Sequence, residues 1–134
     1  MAGPPRILAG FVQGTLETID ATGDDVSRRV REALKPEILE EIENAWSAAW
    51  LPLSHDVEVS LAFARIVGIE RACEVMRVNM RETFHKPILR SMIDGALRLL
   101  GASPGKLLRW APRIWPLLLR DAGTMEVEPG DGKP

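Results

Sequence analysis

The sequence predicts an all-α domain of six to seven short helices in one compact orthogonal bundle, with room for one short C-terminal β-strand. Three observations predict it. Apolar residues recur at helical spacing in nearly every segment from Leu8 to Leu119. Those segments are cut by Gly23, Gly68 and Gly101 and restarted at Pro36, Pro52, Pro87 and Pro104, residues that stop or open helices. Period-two alternation is confined to Thr124-Met-Glu-Val-Glu128, which reads as one short strand. The length, 134 residues with 46% hydrophobic and 27% charged, suits a single domain with a real core.

Residues 1–7 read as a flexible leader, 8–128 as the helical domain and 129–134 as a disordered tail. The first helix carries Leu8, Phe11, Val12, Leu16 and Ile19 inward and stops at Gly23. Asp24 can cap the second, whose apolar side is Val26, Val30, Ala33 and Leu34. Pro36 fits the first turn of the third, because its missing N–H is unbonded there in any helix. Ile38, Leu39, Ile42, Ala45, Trp46, Ala49 and Trp50 give that helix its inward stripe. Leu51-Pro-Leu53 breaks it. Ser54 then caps a fourth, running through Val57, Leu61, Ala64 and Val67 to Gly68. A fifth spans Ile69 to about Phe84, with Ala72, Cys73, Met76, Val78 and Met80 as candidate buried positions. Ile88, Leu89, Met92, Ile93, Ala96, Leu97 and Leu100 line the next, up to Gly101. Ser103-Pro104 opens the last helix, with Leu107, Leu108, Ile114, Leu117 and Leu118 apolar and Pro112 and Pro116 expected to bend or split it.

Bulk charge narrows the function classes. The net charge is −2, which does not favour nucleic acid as a partner. A mildly basic centre lies between acidic ends, as at some binding faces. Cys73 is the sole cysteine, so no internal disulfide forms and a cytoplasmic setting is expected. No apolar run is long enough for a membrane span, and none of the N-terminal residues forms a signal-peptide core.

Candidate chemistry is sparse. His55 and His85 have no second ligand at metal spacing, and His55 and Asp56 are adjacent, so on a helix they point apart. Glu82-Thr-Phe-His85 matches the Glu-x-x-His spacing of di-iron bundles once, where such sites need it twice. The run Glu37, Glu40, Glu41, Glu43 reads as a solvated acidic face. Cys73 reads as a small buried hydrophobe without a base. Gly101-Ala-Ser-Pro-Gly105 is a helix stop and restart, lacking the nucleophile-elbow pattern. No catalytic residue, metal ligand or cofactor site is assigned, and the chain is read as a non-enzyme. The tryptophans stand out: four, with no tyrosine. Trp46 and Trp50 are spaced i,i+4, and Trp110 and Trp115 belong to the last helix. Large rigid rings serve pockets and partner grooves. Trp46, Trp50, Trp110 and Trp115, with Arg109 and Arg113 at the rim, are the candidate binding residues.

Several segments carry a family resemblance: Gly10-Phe-Val-Gln-Gly-Thr-Leu16, Trp50-Leu-Pro-Leu-Ser-His-Asp56, Leu99-Leu-Gly-Ala-Ser-Pro104, Ala111-Pro-Arg-Ile-Trp115 and Asp121-Ala-Gly-Thr-Met-Glu-Val-Glu128. Over roughly residues 8–128 this order resembles an uncharacterised family of myxobacterial proteins, whose members typically continue into a further αβ region. That family resembles in turn the helical part of haem nitric-oxide/oxygen-binding domains. There a histidine on a late helix ligates haem. The corresponding position falls near Trp115, and no histidine follows His85. The resemblance therefore implies a sensor-like or adaptor scaffold without haem ligation.

The expectation is a non-catalytic regulatory or protein-interaction module, with homodimerisation as one form. Its partner would be another protein or a second copy, engaged through Trp110 to Leu119. The alternative is a sensor of small hydrophobic ligands, with an aromatic-lined pocket between the Trp46/Trp50 helix and the last helix.

Overall fold

The structure, a computed structural model, describes residues 3–83, 90–91, 94–95, 98–99 and 104–128. Helix α1 (Ala9–Asp20) organises the core, burying Ala9, Val12, Leu16 and Ile19. Against it pack α2 (Asp24–Ala33), α3 (Pro36–Asn44), α4 (Leu53–Val67) and α5 (Ile69–Thr83). Phe63 and Val59 of α4, Val30 of α2 and Ile42 of α3 are fully buried beside Ile19 and Val12. A sixth helix, α6 (Pro104–Leu118), follows, so the described residues are mostly helical, as the apolar spacing predicts.

A small antiparallel sheet joins the two ends of this assembly. Strand β1 (Arg6–Leu8) lies between β2 (Trp50–Pro52) and β3 (Leu119–Arg120). Ile7 pairs with Leu51 on one side and Leu119 on the other, and this row faces the core. Arg6, Trp50 and Arg120 lie on the alternate, outer positions. Arg6 and Ile7 thus belong to the central strand, although residues 1–7 read as a leader. The C-terminal strand falls at 119–120, whereas the alternating residues 124–128 carry no strand.

The helix boundaries follow local chemistry. Pro36 stands at the first position of α3, as expected. Gly68 separates α4 from α5 at φ +88, a conformation that costs any residue with a Cβ. Helix α4 starts at Leu53, before the expected Ser54 cap, and the Leu53 N–H, which has no partner within the helix, donates to the Pro5 carbonyl at 2.9 Å.

Trp46 and Trp50 do not share a helix. Helix α3 ends at Asn44, and Ala45 turns to an extended conformation. The Gln13 amide donates to the carbonyls of Ile42 (3.0 Å) and Ala45 (2.7 Å), which the ending helix leaves without partners. The following turn supplies carbonyls in its own right. Ser47 accepts from the Gly10 N–H and Ala49 from the Ala9 N–H, each at 2.8 Å. Leu8 has no side chain that can cap α1, so this turn does so. Gly10 suits the approach, since a Cβ there would stand 3.1 Å from the Ser47 oxygen.

Two further expectations change. Helix α5 is covered only along Ala72 and Val75, with Met76 and Asn79 partly covered; Cys73, Val78 and Met80 are exposed. Helix α6 runs unbroken through Pro112 and Pro116, although each removes one i→i−4 donor. His85 and most of the expected helix over 88–100 lie outside the described residues.

Candidate interaction surfaces

The groups most capable of chemistry are engaged in structural contacts. His55 is buried, and its Nε2 lies 2.8 Å from Glu41 Oε2, linking α4 to α3. Its Nδ1 is buried without a partner. Asp56 points elsewhere: its Oδ1 lies 3.3 Å from the Thr15 hydroxyl, which also lies 3.1 Å from the Phe11 carbonyl and shares its one proton. Burial raises the Asp56 carboxyl above its ordinary value, and the Thr15 hydrogen bond only partly opposes this. The two side chains form no dyad, as their adjacency on a helix predicts.

Arg31 of α2 ties three helices. Its guanidinium meets Asp20 of α1 at 2.7 Å and also bonds Glu43 of α3. Ser27 donates a further hydrogen bond to Asp20. Burial by itself would raise the Asp20 carboxyl, but the hydrogen bonds from Arg31 and Ser27 and the Arg31 charge outweigh it and hold the group below its ordinary value. A cavity of about 300 Å³ opens beside this network, lined by Gln13, Leu16, Glu17, Asp20, Arg31, Ile42 and Glu43. Its lining is about half polar, unlike the predominantly apolar pocket a hydrophobic ligand needs. Among the described residues no group of three or more His, Cys, Asp or Glu is placed to hold a metal ion.

The six candidate binding residues fall in three places. Trp46 sits in the turn after α3 and is 76% exposed. Trp50 lies on β2, half-buried, with the Arg120 guanidinium 4.1 Å from its ring centroid. Trp110, Trp115, Arg109 and Arg113 all belong to α6. Trp115 is half-buried, and its indole N–H is buried without an acceptor. Arg109 and Arg113 are exposed. The wall that was to carry Trp46 and Trp50 towards the last helix is therefore a turn and a strand.

Helix α6 carries charge of one sign only. Its 15 residues include Lys106, Arg109 and Arg113 and no carboxylate. Leu108 is 58% exposed and Leu117 55%. Arg109, Arg113 and Leu117 follow at intervals of four, so they form one stripe. A second exposed apolar row escaped the sequence reading. Ile69, Cys73, Met76 and Met80 line one side of α5, and their four-three-four spacing was the available signal. The spacing reads as core in the sequence, which counts Cys73, Met76 and Met80 among the buried positions.

No helix among the described residues is long and apolar enough to cross a membrane. Comparison with protein-family models, with curated proteins and with solved structures finds no match for this chain.

Proposed function

We propose that this chain is a non-catalytic protein-interaction module whose docking element is α6. The observation that carries the reading is the exposed Leu117 on one stripe with Arg109 and Arg113, on a helix that carries no carboxylate. Leu117 loses water contact when covered, which is favourable at about 25 cal/mol per Å² of apolar surface. Arg109 and Arg113 select an acidic, amphipathic segment of another protein over a basic one. Pro112 and Trp115 of the same helix are half-buried. Regulation by such a module consists of holding or releasing its partner, and requires no bond-making residue.

A photo-reactive amino acid in place of Leu117, used in a lysate of the native host, tests this. Wild-type background should capture an acidic protein in a salt-sensitive manner. The Arg109→Glu/Arg113→Glu background should lose that capture while keeping its helical circular dichroism. Identical capture by both backgrounds, or capture of none, overturns the reading.

A further inference from the structure

Helix α5 presents an apolar row that the described residues leave largely exposed. Its buried stripe is narrow, with Ala72 and Val75 turned towards α1 and α4. Beside that stripe run Ile69, Cys73, Met76 and Met80. Ile69 is 69% and Met80 54% exposed, Cys73 is exposed, and Met76 is half-covered. Four-three-four spacing is that of the seam positions in a helix pair, where each side chain fits between those of a facing helix.

We infer that this row is an interface with α5 of a second copy, the two helices running antiparallel about a two-fold axis. The orientation follows from the flanking charges. On the open side of the seam stand Glu70 and Arg77, both exposed. On the inner side stand Ala72 and Asn79, packed towards their own domain. In a parallel pair the open flank of one helix meets the inner flank of the other, which carries no charge. In an antiparallel pair the two open flanks meet. Glu70 then faces the partner's Arg77, and Arg77 faces the partner's Glu70. A closed two-fold interface needs this self-complementarity, and one helix face supplies it. The axis passes between Cys73 and Met76, so Ile69 packs against the partner's Met80 and Cys73 against the partner's Met76. Met suits such a seam because its unbranched chain adapts to the facing surface. Only a few turns take part, which places the contact among small, reversible interfaces.

The inference does not depend on α6, and the experiment separates the two. Sedimentation equilibrium at low ionic strength compares the full chain with Glu70→Arg, Arg77→Glu and the double variant. Each single reversal sets like charges opposite one another twice per dimer and should weaken association roughly tenfold. The double reversal restores both pairs and should return association to near the wild-type level. A short bismaleimide should link Cys73 to the partner's Cys73 in wild type, and not in Cys73→Ser. Arg109→Glu/Arg113→Glu should leave self-association unchanged. A monomer at every concentration overturns the inference. So does a dimer indifferent to the single reversals, or one that the double reversal fails to rescue.

Discussion

The Arg120 guanidinium stacks on the Trp50 ring, 4.1 Å from its centroid, reaching across the outer face of β1 from one edge strand to the other. The two residues are far apart in sequence and share no hydrogen-bonded strand pair. Their contact therefore reports whether the C-terminal strand is in place. Such a stack contributes about 0.5–1 kcal/mol at a partly exposed site. A double-mutant cycle with Trp50→Leu and Arg120→Met, read by urea unfolding, should give a coupling energy of that size. A coupling of zero would reduce the contact to simple packing.

The Asp56 carboxyl is raised by burial, so its charged form is penalised in the folded state. The unfolded chain ionises near the ordinary value of 3.8, whereas the folded chain holds the proton to higher pH. Stability is therefore lost as pH rises through that window and stays lower above it. Asp56→Asn should be more stable than wild type at neutral pH. Its advantage should shrink as pH falls through the window from the raised folded value to 3.8, and be gone below it. Thermal melts of both proteins across the acid range test the sign. A variant that is less stable at neutral pH would contradict it.

Asp20 behaves in the opposite sense. Its carboxyl is held low, so its contribution is complete above 3.8 and is lost as pH falls through the lower folded value. Asp20→Asn should flatten the acid limb of the stability profile. Arg31→Met removes both ion pairs and the tie between α1, α2 and α3, and should cost about 1–2 kcal/mol at neutral pH. Chemical denaturation at several pH values checks both, because the cost of Arg31→Met should shrink in strong acid, where its carboxylate partners are protonated.

Gln13 closes the end of α3 by donating to two carbonyls, those of Ile42 and Ala45. Gln13→Ala should cost about 1–2 kcal/mol, since the abandoned carbonyls lie partly out of reach of water. It should also loosen the turn at 45–49. Hydrogen exchange at the amides of Ala9 and Gly10, which donate to that turn, should quicken while exchange in α4 stays slow. Unchanged exchange at those two amides would show that the turn holds itself.

Much of the helical plan was legible because its punctuation is local. Gly23, Pro36, Gly68 and Pro104 mark boundaries that depend on one residue's own backbone, and the structure uses all four. The stripe on α1 was legible for the same reason. The Trp46–Trp50 segment was misread because its apolar spacing is compatible with a helix. Its carbonyls are instead claimed by Gln13, Ala9 and Gly10, partners more than thirty residues away in most cases, which no local pattern encodes. Strand β1 was missed because three residues are too few to alternate. On α5 the spacing was correct and its destination was not. Periodicity locates an apolar face, but it does not say whether the chain itself covers that face. Among the binding candidates, the α6 set kept its proximity because it lies within one helix, whereas the Trp46/Trp50 pair needed a helix that does not form.

The pairing of β1 with β3 joins residues from nearly opposite ends of the chain. Closing so long a loop is entropically expensive and is repaid only once the intervening helices have packed. This ladder should therefore be among the last contacts made in folding and among the first to open. Among the described residues, α6 is connected mainly through β3. The strand and helix thus form one unit that can detach while α1 to α4 stay folded, as in sub-global opening. A partner that held α6 would feel that equilibrium directly, and its grip would depend on three residues near the start of the chain.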